Sequence, residues 1–205
     1  GAVIADLKTN KAIRTCGLSN EMVQRILNIA KKYHSATDPF IDGRAITQPS
    51  SIDHMDEFGL SPQMQKLIRD TREVVPDVME YVKTTGAQAE KINIFMTDLE
   101  EREILRKELM AMPELSISSS MYNNLEVNAK GADKGSALLW LADHLGISRE
   151  ETMAFGDQQN DIGMIREAQY SYAVENALPE VKREAAGVCG GWESLGVCRV
   201  LEELL

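Results

Sequence analysis

The stretch Glu151-Thr152-Met153-Ala154-Phe155-Gly156-Asp157-Gln158-Gln159-Asn160-Asp161 runs from a short apolar segment straight into a cluster of carboxylate and amide side chains. Its first five residues read as a buried strand, and residues 162–168 behind it read as a helix. Working outward, the same grammar repeats. A helix over residues 134–145 leads into the strand; a strand at 171–174, a helix at 179–186 and a strand at 187–189 follow the second helix. Strands and helices alternating at this spacing build a parallel sheet with helices on its faces, and such sheets bind ligands at the carboxyl ends of their strands. The second part of the chain is therefore expected to be α/β.

Upstream the pattern differs. Residues 1–15 read as a hairpin around the polar turn Lys8-Thr9-Asn10-Lys11. Ser19 then caps an amphipathic helix in which Met22, Val23, Ile26, Leu27, Ile29 and Ala30 share one face, to about His34. Residues 35–60 carry the turn signals Asp38-Pro39, Asp42-Gly43 and Gln48-Pro49 and predict one strand among loops. Pro62 and Pro76 open two short helices. Residues 91–97 alternate with the period of a half-buried strand, a charged helix covers residues 99–112, and short strands fall at 115–118 and 125–127. This mixture, with no long parallel-type runs, is α+β.

Composition bounds the partners. The chain has 205 residues, 43% apolar and 26% charged, and a net charge of −10, which suits a globular protein with one or two cores. An excess of acidic residues repels phosphate backbones, arguing against nucleic acid and against anionic membrane surfaces. No apolar run approaches the roughly 20 residues that span a bilayer, and no basic-then-apolar leader opens the sequence. Cys16, Cys189 and Cys198 are odd in number and widely spaced, giving neither a disulfide framework nor a metal knuckle. A cytoplasmic location is expected.

The chemistry concentrates after the strand at 151–155. A carboxylate there, Asp157, faces the ligand crevice, and the following helix start offers free N–H groups to an anion. Asp157 suits Mg²⁺, which takes one or two protein carboxylates and completes its shell with water and phosphate oxygens. Asn160 and Asp161 could orient those ligands; the same residues also serve as ordinary turns and helix caps. Lys134, opening the preceding helix, would neutralise a phosphoryl group. Other constellations fail. A calcium loop from Asp157 has Ile162 where glycine is needed and Ala168 where glutamate is needed. His34, His54 and His144 lack partners at ligand spacing, and the glycine-rich residues 187–191 match no nucleotide-binding fingerprint. Trp140, among leucines, reads as core.

Leu125-Glu126-Val127, then Lys134-Gly135, then Gly156-Asp157-Gln158-Gln159-Asn160-Asp161-Ile162-Gly163-Met164, then Asn176-Ala177 follow one another in an order that resembles the C-terminal part of the Cof-type haloacid dehalogenase (HAD) superfamily phosphatases. The resemblance implies a Rossmann-like HAD core over residues 128–205, incomplete here, with an α+β cap domain over residues 1–127. It implies a Mg²⁺-dependent phosphomonoester hydrolase acting on a small phosphorylated metabolite such as a sugar phosphate, through an aspartyl-phosphate. Lys134 matches the catalytic lysine that also binds the substrate phosphoryl group, Asn160 a substrate-binding position, and Asp157 and Asp161 the metal positions. The family's nucleophile motif, Asp-x-Asp-Gly-Thr, has no counterpart, because no Asp-x-Asp occurs among the 205 residues. The expectation is that the nucleophile lies upstream of Gly1, that this chain alone is inactive, and that the open edges of a partial sheet favour a homo-oligomer. A non-catalytic binding or assembly module that keeps the cap and half of the site is the alternative reading.

Overall fold

The computed structural model describes residues 1–204. The chain divides into two compact units, one of residues Ala2–Lys130 and one of Gly131 onward together with Gly1.

The first unit opens with the expected hairpin, β1 (Val3–Asp6) pairing antiparallel with β2 (Lys11–Thr15). Helix α1 (Asn20–Ala30) follows, its first turn closed by Ser19, whose hydroxyl accepts from the Met22 N–H. It buries Val23, Ile26, Leu27 and Ala30, the stripe that the helical spacing predicts, and stops four residues short of His34. Residues 35–60 hold more order than one strand and loops. Strands β3 (Ala36–Ile41) and β4 (Arg44–Thr47) form an antiparallel hairpin whose turn residues, Asp42 at φ +50° and Gly43 at φ +74°, both take the left-handed conformation that tight hairpins need. Pro39 hides this strand from sequence reading. Proline is rare inside sheets, yet here it sits opposite Ile92 with strands on both sides.

A helical excursion then leaves the sheet as α2 (Pro49–Asp53), a 3-10 turn at Met55–Phe58 and α3 (Pro62–Thr71), and returns as the short strand β5 (Arg72–Val74), parallel to β4. Its Met55, Phe58, Leu60 and Ile68 bury together against Ala36 of β3 and against Phe95. Helix α4 (Val78–Thr85), capped by Asp77 and ended by Gly86 at φ +65°, precedes β6 (Lys91–Phe95). Helix α5 (Leu99–Met110), β7 (Leu115–Ser118) and β8 (Asn124–Ala129) complete the unit. The six-stranded sheet runs β5-β4-β3-β6-β8-β7. Side chains alternate across it. Ile41, Ile46, Ile92, Ile94, Leu125 and Val127 are all buried and occupy one face; α1 packs against β3, α5 against β7, and α1 against both α4 and α5. The other face carries Asp38, Asn93 and Glu126 in register. Strand β6 is therefore buried on both faces, where alternation predicts half-burial.

The second unit follows the predicted alternation. Helix α6 (Lys134–His144) leads to β9 (Met153–Gly156), α7 (Ile162–Glu167), β10 (Tyr170–Val174), α8 (Pro179–Glu184) and β11 (Gly187–Cys189). The strands form a parallel sheet in the order β11-β10-β9. Ala154, Ile165, Ala168, Ala173, Ala177 and Val181 form its core, with Leu138 and Ile162 packed against them. A last helix, α9 (Gly196–Leu204), has no counterpart in the sequence reading. Trp140 is not core: it is half-buried on α6, its indole stacked on the His144 ring at 4.9 Å between centroids. The fold thus comprises a Rossmann-like α/β unit and an α+β unit. Among the described residues no helix is long and apolar enough to cross a membrane, and Cys16, Cys189 and Cys198 are free thiols.

Candidate active site

Strand β9 ends at Gly156, and Asp157 follows at its carboxyl end. A 3-10 turn over Gln159–Asp161 then delivers the chain into α7. Gly156 is a steric requirement of this turn. A Cβ at that position would lie 2.5 Å from the Asp161 Cβ, so only glycine lets Asp161 fold back beneath the strand end. Once there, Asp161 is 4% exposed and its carboxylate is fully engaged. Oδ2 accepts from the backbone N–H of Asp157 at 2.9 Å and of Gln158 at 3.1 Å. Oδ1 accepts from the Lys134 ammonium. Burial alone would push this carboxyl's pKa up, but Lys134 and the two N–H donors outweigh it and hold it below the ordinary carboxylate value.

Lys134 reaches Asp161 because two helix starts nearly touch. It is the first residue of α6, whose N-cap Asp133 accepts from the Ser136 N–H at 2.9 Å. A Cβ on Gly135 would come 2.5 Å from the Gly163 carbonyl group, and one on Gly163 would come 2.9 Å from Asp133 Oδ1. Glycine at both positions brings the start of α6 against the start of α7. The Lys134 side chain remains 44% exposed, so its ammonium holds Asp161 from the solvent side and keeps donors for a second anion.

Asp157 is held differently. Its carbonyl accepts from the Leu178 N–H at 3.0 Å, fixing the backbone. Its half-buried carboxylate has one long contact, 3.4 Å from Gln158 Nε2 to Oδ2. Asn160 lies half-buried in the turn, which Gln159 ties to Glu180 of α8 at 3.1 Å. The structure thus brings Lys134, Asp157, Asn160 and Asp161 to one sheet end. Gly156, Gly135 and Gly163, which make the cluster possible, carry no functional group; the short Gly-x spacing at each helix start was their only signal in the sequence.

The donor set fits Mg²⁺ through one residue. Asp157 offers a hard oxygen with little competing for it, whereas both Asp161 oxygens already have partners. Among the described residues no group of three or more His, Cys, Asp or Glu side chains is placed to hold a metal ion. One protein carboxylate can serve Mg²⁺ when water and phosphate oxygens complete the shell. His34 and His54 both bond Glu57, at 3.2 and 2.9 Å, within the first unit.

Residues 1–201 match the family of haloacid dehalogenase-like hydrolases. Two 5-amino-6-(5-phospho-D-ribitylamino)uracil phosphatases of Bacillus subtilis (strain 168) are similar. YcsE is 42% identical over 94 residues, 44% of this chain and 38% of the relative. YwtE is 31% identical over 149 residues, 73% of this chain and 48% of the relative. The matches thus span less than half the length of these relatives. A solved haloacid dehalogenase-like hydrolase from B. subtilis superposes on all of this chain and on 77% of its own, with a TM-score of 0.85 at 23% identity. With the family matched over nearly the whole chain and the fold shared, this polypeptide belongs to the haloacid dehalogenase-like hydrolases.

Proposed function

We propose that this chain supplies the metal-binding and phosphate-binding half of a Mg²⁺-dependent phosphomonoester hydrolase acting on a small phosphorylated metabolite. The observation that carries the reading is the Lys134–Asp161–Asp157 cluster at the end of β9. The relatives support the substrate class, since both are named for a phosphoryl group on a ribityl chain. In this reading Asp157 holds the metal. Bound Mg²⁺ would neutralise charge on the phosphoryl oxygens during transfer. Asp161 acts on Lys134 rather than on the metal: a buried carboxylate kept ionised holds the lysine charged and aimed. The free donors of Lys134 bind phosphoryl oxygens, and Asn160 adds a neutral contact beside them. The unit of residues Ala2–Lys130 is assigned the part of a cap that selects the organic group and excludes water.

No Asp-x-Asp occurs in the 205 residues, so the attacking carboxylate of an aspartyl-phosphate step is not among them, and this chain alone does not turn over. Calorimetry of the chain with Mg²⁺ and inorganic phosphate tests the proposal. Phosphate should bind more tightly with Mg²⁺ present; Asp157→Asn should abolish that enhancement, and Lys134→Ala should weaken phosphate binding with or without metal. Absence of any Mg²⁺ enhancement in the unaltered chain defeats the metal assignment. Turnover of p-nitrophenyl phosphate, lost in Asp157→Asn, would show that the chain holds its own nucleophile.

A further inference from the structure

We propose that the cavity between the end of α1 and the start of the helical excursion binds a small organic ammonium ion, held by the Glu57 carboxylate and the aromatic rings around it. The cavity has a volume of about 310 Å³, within the range of small-molecule sites. None of its lining residues belongs to a strand: the chain enters it just before β3 and again just after β4. It therefore lies off one end of the six-stranded sheet, not on its open face. Register puts that end, where Ala36, Phe95 and Asn124 stand abreast, opposite to the one at which β8 leaves the unit through Ala129.

The lining specifies the ligand. Four rings contribute to it, those of Tyr33, His34, His54 and Phe58, and one carboxylate, Glu57; among the described residues no Lys or Arg lines it. An anion would meet the Glu57 charge with nothing to offset it. The imidazoles do not change that sign. A carboxylate only accepts, so His54 Nδ1 and His34 Nε2 each donate to Glu57, at 2.9 and 3.2 Å, and the second nitrogen of each neutral ring is left as an acceptor. Tyr33 donates its hydroxyl to Glu108 at 2.9 Å, which fixes the ring and makes its π face more negative. Carboxylate and ring faces together suit a cation with an apolar body. A bare metal ion fits less well, since among the described residues no three ligating side chains gather to hold one. The site is also preformed. The Glu57 and Phe58 carbonyls accept from Thr97 Oγ1 at 2.9 Å and from Asn123 Nδ2 at 2.6 Å, and the Phe58 ring stacks on His34 with centroids 5.1 Å apart. Little ordering remains to be done when a ligand arrives.

Binding here needs neither phosphate nor Mg²⁺, so it stands or falls separately from the hydrolase reading. Proton NMR of the full chain tests it through the imidazole C–H signals, at about pH 8, where an ordinary histidine is neutral. The chain has three histidines. His34 and His54 line the cavity, and His144 on α6 of the second unit serves as the internal control. Titration with choline should give saturable shifts of His34 and His54 and none of His144. The uncharged isostere 3,3-dimethyl-1-butanol should bind at least tenfold more weakly, and inorganic phosphate should leave His34 and His54 unmoved. Glu57→Gln, which keeps the shape and removes the charge, should weaken choline binding at least fivefold, and Tyr33→Leu at least threefold. If Tyr33→Leu does not fold, Glu57→Gln decides alone. Shifts of His34 and His54 that fail to saturate with choline, equal affinity for choline and its neutral isostere, choline binding unchanged in Glu57→Gln, or phosphate shifting His34 and His54 would each overturn the proposal.

Discussion

Replacing Asp161 by asparagine leaves its volume almost unchanged and removes only the charge that Lys134 and two backbone N–H groups share. The amide can accept one of those bonds through its oxygen, but its NH₂ must then face a donor. Removing one partner of a buried pair costs about 3–5 kcal/mol, and charge-assisted hydrogen bonds contribute about 1.5–3 kcal/mol each. Lys134 is 44% exposed, so solvent takes up much of its loss and the expected cost falls to about 2–3 kcal/mol. The reverse change, Lys134→Met, leaves the buried Asp161 carboxylate without its cation but with both N–H donors, and should cost less, about 1–2 kcal/mol. Both tryptophans, Trp140 and Trp192, lie in the second unit, so urea unfolding followed by tryptophan fluorescence reads the relevant part of the molecule. The pH dependence has a definite sign. Asp161 has a lowered folded pKa, so its contribution is present above the unfolded value of 3.8 and is lost as pH falls through the lower folded value. The gap between unaltered protein and Asp161→Asn should therefore be full near pH 6 and shrink below pH 4. An Asp161→Asn midpoint equal to that of the unaltered chain, or a larger cost for Lys134→Met, would refute the view that Asp161 organises this turn.

Three further outcomes follow from other contacts. Gly135→Ala places a methyl group 2.5 Å from the Gly163 backbone, so it should destabilise the second unit by about 2 kcal/mol or more by overpacking and lower phosphate affinity in calorimetry by separating Lys134 from Asp161. Arg72→Met leaves Asp38 buried without its cation and should cost about 3 kcal/mol in urea unfolding, whereas Asp38→Leu combined with Arg72→Met should recover most of it. Ile94→Ala, at a fully buried position under the helices, should cost about 2–5 kcal/mol and shift circular dichroism melting without altering binding at the β9 end.

The α/β unit was legible because its strands are short apolar runs separated by helices with clear starts, and because Asp157 follows a strand and precedes a helix. The pairing of Lys134 with Asp161 was not, since it depends on two glycines whose only contribution is the absence of a Cβ. The β3–β4 hairpin was half visible. Asp42-Gly43 announced its turn, but Pro39 argued against a strand that tertiary packing nonetheless enforces between β4 and β6. Strand β5 escaped because three residues, Arg72-Glu73-Val74, carry no periodicity. Trp140 was misread because apolar neighbours in sequence spread around a helix: Leu138 turns to the core while Trp140 stacks on His144.

The excursion from Gln48 to Thr71 departs from β4 and returns on the strand beside it, carrying most of its own buried cluster and touching the sheet mainly through Ala36 and Phe95. Its two ends are fixed neighbours whatever lies between them, and lengthening a closed loop adds only about 0.6 kcal/mol per doubling. That makes it an exchangeable module. The segment can be lengthened, shortened or replaced while the register of all six strands stays as it is, so variation among homologous chains should collect there first and reach the sheet last.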